Sequence, residues 1–329
     1  MSEPNTPGRA PVKGPADALQ IPRFAGISTY ARLPLLDDVG ECDVAVLGVP
    51  FDSGVTYRPG ARFGPSAIRA ASRLLRPFDP HMGTYPFRER QVADAGDVAC
   101  TPFSVDRAIG EIERGVRSIL ERARHPFVLG GDHTVALPVL RCVRDLAGGP
   151  VALVHFDAHL DTWDTYFGAD YTHGTPFRRA SEEGLIQKGR SVHVGIRGSL
   201  YDSADLDDDE SLGFRIVSGP KVARTGAVET AEVVKSVVGD EPVYVSIDVD
   251  VLDPAFAPGT GTPEPGGLLS RELREIIRGL NGINLIGADV VEVSPQFDHA
   301  EITSLVAANL CYDLLSLLDG TDKPPGYDH

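Results

Sequence analysis

Apolar residues fall along this chain in short unbroken runs separated by longer amphipathic stretches. The runs at 43–50, 127–129, 151–156, 192–196, 214–217, 243–248 and 283–291 have strand length and little polar alternation. Strands of this kind suit parallel sheets covered on both faces. Between them, 67–75, 104–124, 135–146, 177–183, 227–238, 270–280 and 304–318 repeat with helical period. In 104–124, for example, Ile109, Ile112, Val116, Ile119 and Leu120 share one face. Ser66 is expected to cap the helix 67–75. Segments 52–65 and 253–267 are loops rich in Gly and Pro, and 162–175 is a polar-aromatic loop. The acidic run Asp205, Asp207, Asp208, Asp209, Glu210 reads as a solvated surface loop. Strand and helix alternate throughout, which predicts one α/β domain with a mostly parallel sheet between helical layers. Its bounds are placed at 34–320, with an N-terminal tail and extension at 1–33 and a C-terminal tail at 321–329.

Composition narrows the function classes. Over 329 residues the formal net charge is −16, which argues against nucleic-acid binding and modestly favours a cationic small substrate. No apolar run reaches the roughly 18 residues a bilayer requires, so no membrane partner is expected. Residues 1–18 lack the apolar core of a secretory signal. Cys42, Cys100, Cys142 and Cys311 form no CxxC pair, which excludes a disulfide framework and suits a reducing cytoplasm.

Three of the apolar runs end in ligand-type residues: Gly130–Gly131–Asp132–His133, then Asp157–Ala158–His159–Leu160–Asp161, then Asp248–Val249–Asp250. In open parallel sheets ligands bind beyond the carboxyl ends of strands, so all three clusters can share one site. The i, i+2 spacing of Asp157 with His159, and of Asp248 with Asp250, puts each pair on one side of a strand. Asp161 can reach back into the same space. Asp157, Asp161, Asp248 and Asp250 sum to −4, which two divalent cations would balance with His133 and His159 as neutral ligands. Hard carboxylates with imidazole suit Mn²⁺, with Zn²⁺, Fe²⁺, Co²⁺ and Ni²⁺ as alternatives.

GGDHT at 130–134, DAHLD at 157–161 and SIDVDVLDPAFAPGTGTPEPGG at 246–267 resemble the three signatures of the ureohydrolase (arginase/agmatinase) family. The stretch 46–65 and the VVEVSP segment at 290–295 match as well, so the resemblance spans about 34–318. It implies a three-layer α/β/α sandwich around an eight-stranded parallel sheet, assembled as a homo-oligomer, a trimer or hexamer. It implies two Mn²⁺ ions, one on His133, Asp157, Asp161 and Asp248, the other on Asp157, His159, Asp248 and Asp250. It implies a small guanidino substrate, cut to urea and an amine. Two adjacent dications make a water nucleophilic near neutral pH. Asp161 would hold that water, Glu292 would pair with the guanidinium, and His173, in the family's HGT pattern, would carry the proton to the leaving amine.

The substrate's tail is the open question. The stretch 162–169 lacks the arginase-like pattern and resembles agmatinases and guanidino-acid hydrolases. Asp164 at the entrance favours agmatine, whereas Arg58 and Arg62 suit a carboxylate tail or simply brace their loop. Trp163 either lines the pocket or packs. Agmatine cleavage to urea and putrescine is the leading expectation. The alternatives are guanidinobutyrase, a proclavaminate-amidinohydrolase-like enzyme, formiminoglutamase, or a non-catalytic polyamine-binding regulator.

Overall fold

The computed structural model describes residues 11–318; the expected C-terminal tail at 321–329 lies outside them. Eight strands form one sheet: β1 (Cys42–Gly48), β2 (Val92–Asp97), β3 (Ala123–Leu129), β4 (Ala152–Phe156), β5 (Ser191–Val194), β6 (Phe214–Val217), β7 (Pro242–Asp248) and β8 (Asn284–Val291). The order is β2-β1-β3-β8-β7-β4-β5-β6, and every pairing is parallel. Helices flank it: α1 (Leu36–Val39), α2 (Gly64–Ser72), α3 (Val105–Leu120), α4 (Ala136–Ala147), α5 (Pro176–Glu182), α6 (Ala204–Leu212), α7 (Gly219–Val238), α8 (Ser270–Gly279) and α9 (Ile302–Leu318).

Period-two alternation along the strands builds two cores. Val44, Val46, Val154, Val245 and Ile247 face α2, α7, α8 and α9. Leu47, Val128, Leu153 and Tyr244 face α3, α4, α5 and α6. The three-layer sandwich follows, because each face of such a sheet must be covered.

Four expectations change. Strand β2 went unread because Val92–Asp97 alternates Ala, Gly and Asp at a sheet edge. Helix α2 begins at Gly64, and Ser66 lies inside it with its hydroxyl donating to Phe63 O (3.0 Å) instead of capping. The acidic run is no loop: it is helix α6, closed by Gly213 in the left-handed conformation, and Asp209 is fully buried. Finally, the helical stretch His299–Leu318 is long and apolar enough to cross a bilayer by composition, yet 67% of that window is buried, as suits a core helix.

Candidate metal centre and active site

The four central strands in space, β3-β8-β7-β4, aim their carboxyl ends at one point. After β3, Asp132 caps the 3-10 turn His133–Val135, its Oδ1 accepting from Thr134 N (3.0 Å). Gly131 allows the close approach there: a Cβ would lie 1.7 Å from Phe51 O. After β7, Asp248 caps the turn Val249–Val251 by accepting from Asp250 N (2.8 Å). After β4, Asp157 Oδ1 accepts from His159 N (2.6 Å) and Asp250 Oδ1 from Ala158 N (3.0 Å), which ties the second cluster to the third. Asp161 and Glu292 hold left-handed backbone, with φ of 55° and 63°. Such conformations are costly for non-glycine residues and concentrate at functional sites.

All six residues expected as ligands come together. His133 Nδ1 lies 2.9 Å from Asp161, 3.2 Å from Asp157 and 3.5 Å from Asp248, in each case Oδ2. His159 Nδ1 lies 3.0 Å from Asp250 Oδ2 and 3.3 Å from Asp157 Oδ1. Asp157 thus presents one oxygen to each imidazole, the position of a bridging ligand.

The chemistry of this donor set fits divalent cations. Tyr244 Oη and Ser246 Oγ donate to Asp289 (2.6 Å each). With its proton so engaged, Ser246 Oγ accepts from His133 Nε2 (2.9 Å), which leaves Nδ1 to face the three carboxylates. Burial pushes Asp248 and Asp161 above the ordinary carboxylate range, with neighbouring carboxylates adding to it. Burial and Asp157 push Asp250 up to about 6. Burial also opposes charge on Asp157, but the imidazoles around it hold it well below the usual range. A cation at the centre relieves this repulsion.

A cavity of about 420 Å³ opens over the cluster. His159, Asp161, Asp248 and His173 form its floor, and Trp163, Tyr166, Tyr201, Thr262 and Glu264 contribute to its walls. Glu292 is buried beneath, its Oε1 accepting from His133 N (3.0 Å) and His173 Nδ1 (3.1 Å). Burial opposes charge on His173, yet Glu292 raises it to about 9. Against that, the Thr56 amide donates to His173 Nε2 (3.1 Å), so the geometry holds the neutral ring with its proton on Nδ1.

Of the residues expected to meet the substrate, Glu292, Asp164 and Arg58 stay out of the cavity lining. Asp164 is exposed and pairs with Arg179 (2.5 Å) and Arg178 (3.4 Å). Arg58 stacks over the Tyr57 and Phe297 rings at 5.3 Å, with neither partner in the lining. Arg62 pairs with buried Asp52 and braces its own loop.

The arginase family model matches residues 42–316. The chain belongs to the arginase family. Within that family it is similar to a guanidinopropionase from Pseudomonas aeruginosa, 46% identical over 92% of this chain and 95% of the relative. It is similar also to a mitochondrial agmatinase from Gallus gallus, 42% identical over 93% and 90% of the two chains. The solved structure of proclavaminate amidino hydrolase from Streptomyces clavuligerus superposes with a TM-score of 0.86 at 43% identity, covering 90% of this chain and 98% of that one.

Sequence reasoning missed the supports of this arginase-family centre. Ser246, Asp289 and Tyr244 orient His133, and His155 donates toward Asp157 Oδ2 (2.8 Å) from below. The available signal was polar residues inside otherwise apolar strands: His155 in β4, Ser246 in β7 and Asp289 in β8. A polar side chain there must find a partner at the next strand.

Proposed function

We propose that this protein hydrolyses agmatine to urea and putrescine, using two Mn²⁺ ions held by His133, Asp157, His159, Asp161, Asp248 and Asp250. The observation that carries the choice of tail is the cavity lining. Its charged side chains are carboxylates, Asp161, Asp248 and Glu264, with no Lys or Arg among the lining residues. Trp163, Tyr166 and Tyr201 form a three-ring wall with centroids 5.8, 5.9 and 6.2 Å apart. An ammonium tail is attracted to the aromatic faces and to Glu264, the one lining carboxylate not assigned to the metals, which repels a carboxylate tail.

When bound, the metal pair supplies Lewis acidity and a nucleophilic water near neutral pH. The chain's own groups do the remaining work. Asp161 and Asp248 face the guanidinium end of the cavity and counter its charge. Glu292 and the Thr56 amide hold the His173 ring in one orientation at the cavity floor. From there His173 takes up at Nε2, in place of the Thr56 amide, the proton that the attacking water loses, passes that proton to the departing amine and returns to the neutral ring, while Glu292 pairs with the guanidinium of the substrate.

The relationship to guanidinopropionase at 46% identity favours a second reading, a guanidino-acid hydrolase. Urea release by the Mn²⁺-loaded protein from agmatine, arginine, 4-guanidinobutyrate and 3-guanidinopropionate separates the two. The highest kcat/KM is expected on agmatine. A guanidino acid ahead by about tenfold, 1.4 kcal/mol, overturns the tail assignment. No urea from any of the four overturns the hydrolase reading.

A further inference from the structure

Behind Asp157 a line of buried polar groups runs away from the cavity. His155 Nε2 lies 2.8 Å from Asp157 Oδ2, and His155 Nδ1 lies 2.6 Å from His193 Nδ1. His193 Nε2 lies 3.2 Å from Asp209 Oδ1, which also accepts from Thr162 Oγ1 (2.8 Å). His155, His193 and Asp209 are completely buried. Phe177 packs on the His155 ring at 4.3 Å and Phe214 stacks on the His193 ring at 4.2 Å, so neither imidazole is free to turn. The roles of the line are set by its ends. Asp157 and Asp209 are carboxylates, which only accept hydrogen bonds. Each outer ring nitrogen, Nε2 of His155 and Nε2 of His193, therefore carries a proton, and one Nδ1 carries the proton between the rings.

We propose that His193 and Asp209 are positioning residues for the metal centre, acting through His155 to aim the Oδ2 lone pairs of Asp157. Thr162 extends the line to the loop that begins after Asp161, so helix α6, strand β5 and the ligand loop are held in one register. This explains why one acid of the run at 205–210 is buried while its neighbours Asp207, Asp208 and Glu210 are exposed. A metal ligand whose supporting hydrogen bond is lost typically binds its ion about 10- to 100-fold more weakly.

The inference rests on Asp157 being a metal ligand, and the test separates the two. The full chain, stripped of metal, is titrated with Mn²⁺ by calorimetry. His193→Phe keeps the stack on Phe214 and removes both hydrogen bonds; its affinity is expected to fall about 10- to 100-fold. Asp209→Ala is expected to fall in the same direction. Asp209→Asn, which keeps an acceptor for Thr162 and a polar partner for His193, is expected to recover most of the loss. Wild-type affinity in folded His193→Phe or Asp209→Ala overturns the proposal, and so does an Asp209→Asn variant as weak as the alanine. Should the first two variants fail to fold, proton NMR of the wild type decides. A far-downfield, exchange-protected imidazole proton is expected from the short bond between the rings, and its absence in the wild type overturns the line. A wild type that binds no Mn²⁺ overturns instead the metal reading on which the inference rests.

Discussion

Replacing Asp250 by Asn is expected to stabilise the metal-free protein while crippling its metal binding. Asp250 is fully buried, 3.0 Å from His159 Nδ1, and burial together with Asp157 lifts its pKa from 3.8 to about 6. A carboxylate whose folded pKa is raised binds its proton more tightly in the native state than in the unfolded chain. Stability from that proton is complete below pH 4 and is lost as pH rises through about 6. The rise of about two units corresponds to about 3 kcal/mol at pH 8. Asparagine is nearly isosteric, keeps an acceptor for Ala158 N and carries no charge. Urea unfolding in chelator at pH 8 should therefore show Asp250→Asn more stable than wild type by on the order of 3 kcal/mol. At pH 5, where Asp250 is largely protonated in the native state but ionised in the unfolded chain, the difference should shrink to about half of that. Saturating Mn²⁺ should reverse the order at pH 8, because the wild type gains far more from the ions. A variant less stable than wild type in chelator at pH 8, or a difference independent of pH, refutes the reasoning.

Ser246→Ala leaves His133 Nε2 without its acceptor and Asp289 with Tyr244 as its remaining side-chain donor; Mn²⁺ affinity by calorimetry is expected to drop about 10- to 100-fold, and an unchanged value removes Ser246 as the group that sets the ring's tautomer. His173→Ala should lower kcat about 100-fold at unchanged metal content by elemental analysis; a preserved kcat dismisses it as proton carrier. Trp163→Leu should raise KM for agmatine about 3- to 30-fold with little change in kcat, the size of a desolvated cation–π contact, and an unmoved KM takes Trp163 out of the tail site.

Much of the fold was legible because parallel strands buried on both faces leave unbroken apolar runs. The interiors of β1, β3, β4, β7 and β8 are of that kind. Edge strand β2 carries Ala, Gly and Asp and leaves no such trace. Helix α6 was misread because its charge pattern matches that of a solvated loop, and the one buried acid, Asp209, is recognisable only once its partners His193 and Thr162 are in place. Asp164 and Arg58 were drawn to the site by proximity in sequence alone; each is satisfied elsewhere, by Arg179 and by the Tyr57 and Phe297 rings.

By itself the order of residues determined the alternation of strand and helix, the strand-end location of the six ligand-type side chains and the charge that calls for cations. These are local properties, set by side-chain period and by which residues end each apolar run. Only the tertiary structure decided that β8 and β7 insert between β3 and β4, bringing His133, Glu292, Asp248 and Asp157 to adjacent strand ends. It also decided which polar residues hold the ligands from behind. Strand order depends on how the helical layers cover the sheet, and hydrogen-bond partners across it are separated by 38 to 159 positions along the chain. No local pattern encodes either.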